Sequence, residues 1–310
     1  MSALPQPESF NLAAWSRDHL ARVETALMRW VTCDVPLGQG QGAPAALVEA
    51  MRYAVLDGGK RLRPLLALAA CEAVHGNTQA ALRVACAVEL IHAYSLVHDD
   101  LPCMDNDILR RGKPTVHVKF GEAQALLAGD ALQALAFELL TPDDAAVAPA
   151  LQAQLCRLLA QAAGSAGMAG GQAIDLASVG HKLDERQLSE MHRLKTGALL
   201  QGSVMMGAAC GKPASVALVA LRSYSAAVGL AFQVVDDILD VTADSATLGK
   251  TAGKDAEQDK PTYVSLLGLA PSKAYAQELL AHALAALCAS DLQNTAALEA
   301  LAYMVVNRQA

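Results

Sequence analysis

Aromatic residues and long β-branched runs are scarce in this chain of 310 residues, of which 53% are hydrophobic but 4% aromatic. Alanine and leucine supply much of the apolar content, and both are among the best helix formers. No segment alternates apolar and polar residues with a period of two, so no β-sheet is predicted. We therefore expect an all-α helical bundle that forms a single domain over residues 1–310.

Excess positive charge and a secretory signal are also missing. The net charge is −7, which argues against a general nucleic-acid-binding surface. The first ten residues lack the basic and apolar regions of a signal peptide. The cysteines form no CxxC pair, and their apolar neighbours favour reduced thiols that serve as small core residues. These features predict a cytoplasmic protein. The seven cysteines are Cys33, Cys71, Cys86, Cys103, Cys156, Cys210 and Cys288.

A transmembrane segment is not predicted either. The longest apolar stretch, residues 213–235, is interrupted by Arg222 and is followed directly by Asp236 and Asp237. A spanning helix needs about twenty predominantly apolar residues. We expect this stretch to be a buried helix of a large α domain.

The helices are predicted from apolar residues at helical spacing and from the breakers between them. They cover residues 8–31, 44–57, 61–75, 78–100, 119–140, 147–169, 184–210, 213–242, 272–289 and 294–308. No linker of distinct composition divides the chain, which supports a single domain.

What the sequence does contain is two clusters of aspartate, each directly after an apolar helix. Packed carboxylates repel and lose hydration unless positive charge neutralises them. Carboxylate oxygens are ligands that favour Mg²⁺, which usually holds phosphate oxygens as well. The clusters therefore predict a site for several divalent cations and diphosphate chemistry. They consist of Asp99, Asp100 and Asp105, and of Asp236, Asp237 and Asp240.

The spacing within the two clusters differs. Asp236 and Asp240 are four residues apart, on one helix face and about 6 Å from each other. Asp99 and Asp105 are six residues apart, which in a regular helix separates them by roughly 120°. Pro102 lets the chain leave the helix, so we expect Asp105 to return from a loop to the same metal. The alternative for either cluster is a solvated acidic helix end.

Basic segments accompany the acidic ones. Arg110 and Arg111 follow the first cluster, where guanidinium groups suit phosphate. Gly58-Gly59-Lys60-Arg61 opens a predicted helix, whose N–H groups favour anions. Lys195-Thr196-Gly197 adds another lysine, and residues 244–262 are predicted to form a mobile lid over phosphates.

His92 lies seven residues before Asp99, about two turns away on the same helix face. A lone His in an apolar helix is commonly a core residue. Its position near the first cluster makes a ligand contact an equal alternative, and both remain open here.

Together these segments resemble the trans-prenyltransferases, the short-chain isoprenyl diphosphate synthases. The nearest pattern is that of bacterial farnesyl diphosphate synthases, with plant-type geranylgeranyl diphosphate synthases as near neighbours. The resemblance implies helices around a deep central cavity, a homodimer, and Mg²⁺-dependent joining of an allylic diphosphate to isopentenyl diphosphate. The motifs, in order over about residues 45–265, are GGKRLRP, HAYSLVHDDLPCMDNDILRRGKPTVH, KFGEAQALLAGDAL, GQAIDL, KTGALL, FQVVDDILD and LGKTAGKD.

The resemblance also implies roles for individual residues. The principal metal-binding carboxylates are Asp99, Asp105 and Asp236, and Asp100, Asp237 and Asp240 complete the two motifs. Together they would bind several Mg²⁺ ions, with three as the expected number. The isopentenyl diphosphate contacts are Lys60, Arg63, His92 and Arg111. The residues facing the allylic substrate are Arg110, Lys195, Thr196, Gln233, Lys250 and Lys260. A catalytic role is implied for Asp99, Asp105, Arg110, Lys195, Thr196, Gln233, Asp236 and Lys250. Arg61 lies in the motif without an implied ligand contact.

Product length is predicted from two residues before the first cluster. Tyr94 and Ser95 lie about 6–7.5 Å deeper along the helix than Asp99. Ser95 is small, whereas Tyr94 is bulky enough to form the cavity floor. In the family, one aromatic residue at the position of Tyr94 accompanies a C15 product, and a small or aliphatic one accompanies C20. Farnesyl diphosphate is the predicted product, with core packing as the alternative role for Tyr94.

The expected mechanism is ionisation of the allylic C–O bond, helped by Mg²⁺ and by Arg and Lys groups on the leaving diphosphate. The Thr196 hydroxyl, the Lys195 carbonyl and the Gln233 amide oxygen would face the cation, and the apolar cavity would exclude water. The alternatives are a C20 synthase, a terpene cyclase, a non-catalytic regulatory subunit and a plain helical scaffold. Two intact aspartate clusters and the GGKRLRP segment argue against the last three.

Overall fold

Helices make up nearly all regular structure in the computed structural model, which describes residues 10–32, 42–56, 58–181, 183–242 and 262–308. The all-α prediction is confirmed. The helices are α1 (Leu12–Trp30), α2 (Ala45–Val55), α3 (Leu62–Ala73), α4 (Thr78–Asp99), α5 (Val116–Phe120), α6 (Glu122–Leu140), α7 (Pro149–Ala163), α8 (Met168–Ala177), α9 (Glu185–His192), a π-helix (Arg193–Gly197), α10 (Ala198–Ala209), α11 (Ser215–Thr242), α12 (Tyr263–Leu267), α13 (Leu269–Cys288) and α14 (Ala296–Val306).

Helix α4 is central to the bundle and carries the first aspartate cluster at its end. The Asn77 side chain caps its start by accepting the N–H groups of Gln79 and Ala80 at 2.9 and 3.1 Å, which satisfies two free donors. Apolar residues occur on every face of α4, as expected for a helix surrounded by protein. It packs against α3 and α6, so its C-terminal end is held firmly.

The apolar side chains form two packed clusters, and α3 and α10 contribute to both. One cluster surrounds α4, α6 and α7, and the other surrounds α11, α13 and α14. Burial of this apolar surface is the main force that holds the bundle together. The candidate site lies where α4 of the first cluster approaches α11 of the second.

Most predicted helices are present, with ends that shift by a few residues. The predicted helix 147–169 is wrong, because α7 ends at Ala163 and α8 begins at Met168. At Gly167, between them, a Cβ atom would lie 2.3 Å from the Ala162 carbonyl oxygen, so the chain turns where a larger residue does not fit. The predicted helix 184–210 contains the π-helix, which no periodicity indicates.

The prediction of no strands is wrong for one short hairpin. Strands β1 (Leu109–Arg110) and β2 (Lys113–Pro114) pair antiparallel. The two residues between them, Arg111 and Gly112, have φ of 52° and 74°, which suits the tight turn of a two-residue hairpin. Two-residue strands are too short to give a period-two pattern, and this one serves to present Arg110 and Arg111.

Three of the described helices are long and apolar enough to cross a membrane by length and composition alone: α4, α6 and α11. In α4, 72% of the most apolar window is buried inside the protein. Helix α4 ends at Asp99, and α11 carries Asp236, Asp237 and Asp240 in its last two turns. The absence of a membrane segment stays a prediction.

The cysteines only partly follow their prediction. The six that the described part of the chain contains are free thiols. Cys71, Cys86 and Cys210 are buried as expected, but Cys103 and Cys288 are exposed. The core prediction is wrong for these two, because each lies just outside or at the end of a helix rather than on its packed face.

Candidate active site

A cavity of about 580 Å³ lies between α4, α8, α9 and α11. Both aspartate clusters contribute to its wall, as the sequence predicts. The predicted site residues that line it are Arg63, His92, Tyr94, Ser95, Asp99, Lys195, Thr196, Gln233, Asp236 and Asp237.

In the first cluster, Asp99 faces this cavity and Asp105 returns beside it. The Asp105 N–H donates to the Asp99 carbonyl oxygen at 2.9 Å, so the chain turns back beside Asp99 after Pro102; a metal shared by the two carboxylates stays a prediction. Burial raises the pKa of Asp99 to about 6; Lys195 opposes this rise and Asp105 adds to it. A nearby cation would stabilise the charged form of such a buried carboxylate.

Asp100 has a different environment from its neighbour. It is 3% exposed, and Arg110 binds it with Nε at 3.0 Å from both carboxylate oxygens and Nη2 at 2.6 Å from Oδ1. This bidentate pair is a strong, geometrically specific contact. The carboxylate of Asp100 holds the hairpin arginine, and its metal binding stays a prediction.

In the second cluster, Asp236 lines the cavity, and its Oδ1 accepts from Nη2 of Arg308 at 3.1 Å. Asp237 is turned into the protein. Its Oδ1 accepts from the Gln233 amide at 3.0 Å, and its Oδ2 accepts the backbone N–H of Tyr263 at 2.8 Å. The first aspartate of this pair is thus the one more open to the cavity.

Asp240, predicted to share a helix face with Asp236, is buried at 4% exposure. Within the described ranges, no group of three or more His, Cys, Asp or Glu side chains gathers around one point. Mg²⁺ usually keeps several waters and takes one or two carboxylates plus substrate phosphates. Asp99 and Asp236 therefore fit ions that a diphosphate completes, and they do not fit a cage built by protein alone.

A chain of hydrogen bonds orients the polar groups between the clusters. The Thr196 hydroxyl donates to Oε1 of Gln233 at 3.1 Å, and the Gln233 amide donates onward to Asp237. Thr196 and Lys195 belong to the π-helix, a feature frequently found at functional sites. At Gly171 of α8, a Cβ atom would lie 2.0 Å from the backbone nitrogen of Lys195, so α8 packs directly on this turn.

Lys195 is anchored by a residue that the sequence reasoning did not single out. Its Nζ lies 2.6 Å from Oδ2 of Asp175. Burial lowers the pKa of Lys195, but Asp175, Asp99 and Asp105 together more than offset this, and the net shift is upward. The lysine therefore stays charged, as a phosphate ligand must.

A cluster of positive charge lies on the other side of α4. His92 lines the cavity, and its pKa is lowered well below the usual value by burial and then by Arg63, Arg111 and Arg110. The histidine is therefore neutral among cations. Arg111 donates from Nη1 to the Gly58 carbonyl at 2.9 Å. Such a concentration of guanidinium groups is suited to binding an anion.

The predicted floor residues lie on the same helix. The Tyr94 ring packs edge-to-face on His98 with centroids 5.6 Å apart, and Ser95 donates its hydroxyl to the His92 carbonyl at 2.8 Å. His98 in turn packs against Gly129 of α6, where a Cβ atom would lie 2.1 Å from the imidazole Nε2. The close approach of α6 fixes the bulky side chains at this end of the cavity.

Some predicted residues lie elsewhere. Lys60 lies within the described residues, and partial burial and the neighbouring Arg308 lower its pKa. Lys250, Lys260 and all but the last residue of the predicted lid 244–262 lie outside the described residues.

Four further residues at the site were missed by sequence reasoning: Gln172, Asp175, His192 and Arg308. The GQAIDL segment contains the first two, and its two polar residues at i and i+3 were a usable signal. His192 is 6% exposed, and neither ring nitrogen has a hydrogen-bond partner among the described residues. Arg308 is far from every motif, so no pattern points to it.

Comparison with known proteins decides what kind of protein this is. Residues 44–301 match the polyprenyl synthetase family. The chain belongs to the polyprenyl synthetase family. It is a prenyltransferase that makes prenyl diphosphates, which confirms the family predicted from the motifs.

Three relatives illustrate the range within the family. A probable farnesyl diphosphate synthase of Bradyrhizobium diazoefficiens is 50% identical, covering 86% of this chain and 79% of its own. A chloroplastic geranylgeranyl pyrophosphate synthase of Capsicum annuum is 49% identical, covering 86% and 72%. The structure of a Helicobacter pylori geranyltransferase complexed with magnesium and isoprenyl diphosphate is 35% identical, with a TM-score of 0.80 and coverage of 97% and 98%.

Proposed function

We propose that this prenyltransferase is a farnesyl diphosphate synthase, which joins isopentenyl diphosphate head-to-tail to dimethylallyl and then geranyl diphosphate with the help of Mg²⁺. The observation that carries the C15 product is Tyr94, whose ring lines the cavity one to two turns below Asp99. A growing chain bound with its diphosphate at Asp99 and Asp236 would meet this ring. The 50% identical relative from Bradyrhizobium diazoefficiens supports the same product.

The residues support the reaction as follows. Bound Mg²⁺, with three ions as the expected number, would supply charge stabilisation for the departing diphosphate. Lys195 and Arg110 are held as cations by Asp175 and Asp100, so they add fixed positive charge beside the same group. The allylic C–O bond breaks with its electron pair on the diphosphate, the isopentenyl double bond forms the new C–C bond, and a proton leaves to the diphosphate.

The cation formed in this step needs negative dipoles and dry surroundings. The Gln233 amide is held by Thr196 and Asp237 on either side, so it does not have to reorganise as charge develops. His92 and the arginines around it would bind the diphosphate of isopentenyl diphosphate. His92, being neutral, would serve there as a hydrogen-bond donor.

Geranylgeranyl diphosphate is the second candidate product. It is favoured by the 49% identical pepper relative, and Ser95 leaves room beside Tyr94. The two candidates use the same condensation step, which is repeated once more for C20, and they differ in cavity depth.

A product assay tests the proposal. Purified protein with Mg²⁺, isopentenyl diphosphate and either allylic starter should give a dominant C15 alcohol after dephosphorylation and chromatography. Tyr94→Ala should shift the product to C20 or longer, whereas the matched control Tyr94→Phe, which keeps the ring, should stay at C15. A C20 product from the unaltered protein would select the second candidate, and an unchanged C15 product from Tyr94→Ala would remove Tyr94 as the floor.

We also propose a cytoplasmic homodimer. Exposed apolar side chains on the β1–β2 hairpin, α5 and α6 support a second copy as the occupant of this face. Light scattering on the purified protein tests the dimer: a monomer mass at micromolar concentration would contradict it. The exposed side chains are Ile108, Leu109, Val118, Leu126 and Leu127.

A further inference from the structure

The loop that precedes α3 sends alternate basic side chains in different directions. Lys60 and Arg63 belong to the cationic side of the site, but Arg61 between them is 6% exposed and directed into the protein. Its backbone is left-handed, with φ of 46°, a conformation that non-glycine residues rarely adopt because the Cβ atom crowds the following carbonyl oxygen. Something in the surroundings must hold it there.

Every nitrogen of the Arg61 guanidinium has a partner. Nε donates to Glu24 at 2.8 Å, Nη1 to Glu89 at 2.7 Å, and Nη2 to the Val55 carbonyl at 2.6 Å. These partners belong to α1, α4 and the end of α2. The fork of one arginine therefore ties three helices to the first residue before α3, and a lysine cannot reproduce this geometry.

Glu89 connects this network to the site. It is 4% exposed and lies three residues before His92 on one face of α4. Arg61, Glu89, His92 and Arg111 line the same small cavity of about 60 Å³ beside the main one. Burial lowers the pKa of Arg63, and the negative charge of Glu89 opposes this lowering.

The loop itself is fitted closely to the site. At Gly59 a Cβ atom would lie 2.5 Å from Nη1 of Arg111, and Arg111 donates to the Gly58 carbonyl. A shift of this loop therefore moves Arg111 as well as Lys60 and Arg63. All three are the cations assigned to isopentenyl diphosphate.

We propose that Arg61 is a positioning residue, which acts with Glu24 and Glu89 to hold Lys60, Arg63 and Arg111 in the geometry that binds isopentenyl diphosphate. Arg61 does not touch the substrate. The inference rests on the proposed function of the cationic cluster. It predicts that disruption of the network weakens the binding of isopentenyl diphosphate and not that of the allylic substrate.

Steady-state kinetics with each substrate varied in turn tests this. Arg61→Gln should raise KM for isopentenyl diphosphate about tenfold or more, because small displacements of binding groups have large kinetic effects. The KM for geranyl diphosphate should stay within about twofold, since the groups that hold it lie on other elements. Glu89→Gln should act in the same direction, and the double variant should be no worse than the worse single one. Arg83→Gln is the matched control. Like Arg61, Arg83 is an arginine paired with a carboxylate, but it lies on α4 away from the site, with its Nη2 3.4 Å from Oδ2 of Asp144.

The outcomes are distinct. If Arg61→Gln leaves both KM values unchanged, or raises them equally, Arg61 is not a positioning residue for isopentenyl diphosphate. If circular dichroism shows that Arg61→Gln does not fold, Glu24→Gln replaces it as the test variant. It removes the partly exposed partner of Arg61 and must show the same selective rise in KM for isopentenyl diphosphate. An absence of turnover in the unaltered protein would instead contradict the proposed function.

Discussion

The two adjacent aspartate pairs, Asp99-Asp100 and Asp236-Asp237, have the same sequence and the same division of tasks. In each pair the first carboxylate is the one more open to the cavity, and the second is buried and hydrogen-bonded by the protein itself. The difference is in what binds the second one. Among the described residues, Asp100 neutralises a cation, Arg110, whereas the hydrogen bonds to Asp237 come from neutral donors. A repeated motif thus combines a group available to ligands with a group that fixes its surroundings.

The largest effect should be on turnover, and it should distinguish the first aspartate of each pair from the second. Asp99→Asn or Asp236→Asn should lower kcat by about 10²–10³-fold or more, because each removes charge that a divalent cation needs. In metal-free buffer near pH 7.5 the free energy of unfolding of Asp99→Asn should not fall, since burial already raises the pKa of Asp99 to about 6. Discontinuous assays with Mg²⁺ and urea unfolding without it measure both quantities. Near-normal turnover in either variant would break the comparison.

The next effect should separate the two second members in stability. Asp100→Asn leaves Arg110 with only the longer ion pair to Asp107 at 3.9 Å. The loss should cost about 2 kcal/mol of unfolding free energy, at the lower end for a broken pair because Arg110 is also partly exposed. Asp237→Asn should cost about 1 kcal/mol, since an amide oxygen can still accept one of the two hydrogen bonds. Urea unfolding of both variants against the unaltered protein gives the order. Equal losses would mean that the charge of Arg110 makes no difference.

The third effect, of the same order as these stability losses, concerns pH and sharpens the role of burial at this site. Burial lowers the pKa of His192 to about 4, below its unfolded value of about 6.5. The folded state therefore binds the proton less well than the unfolded state. This contribution to stability is complete above about pH 6.5 and is lost by about 1 kcal/mol per pH unit as the pH falls towards 4. His192→Phe keeps the ring stacked on Tyr263 and removes the titration, so its unfolding free energy should fall less between pH 6.5 and 4.5. Parallel pH curves would show that His192 titrates normally.

Much of this site could be predicted from local chemistry. Asp99 and Asp236 each follow an apolar helix, and a buried helix that ends in carboxylates has few reasons other than a ligand. Pro102 predicted the return of Asp105. The all-α class followed from helix formers without any period-two pattern.

The rest depended on partners distant in sequence. Neighbouring residues on a helix differ by about 100° in direction, but which of Asp99 and Asp100 faces the cavity is decided by Arg110 on a hairpin too short to leave a pattern. Arg308 reaches Asp236 from the other end of the chain. The break between α7 and α8 follows from close backbone approaches at Gly167, which only the packed structure reveals.

The π-helix at Arg193–Gly197 has a consequence for reshaping the cavity. A wider turn accommodates one more residue than an α-turn, so the faces of α9 and α10 are out of phase by about 100° across it. Deleting one residue there would restore the phase and rotate His192 away from the wall that Lys195 and Thr196 form. The shape of this wall is therefore encoded in the number of residues as well as in their identity, and a library of single deletions would sample cavities that substitution alone does not produce.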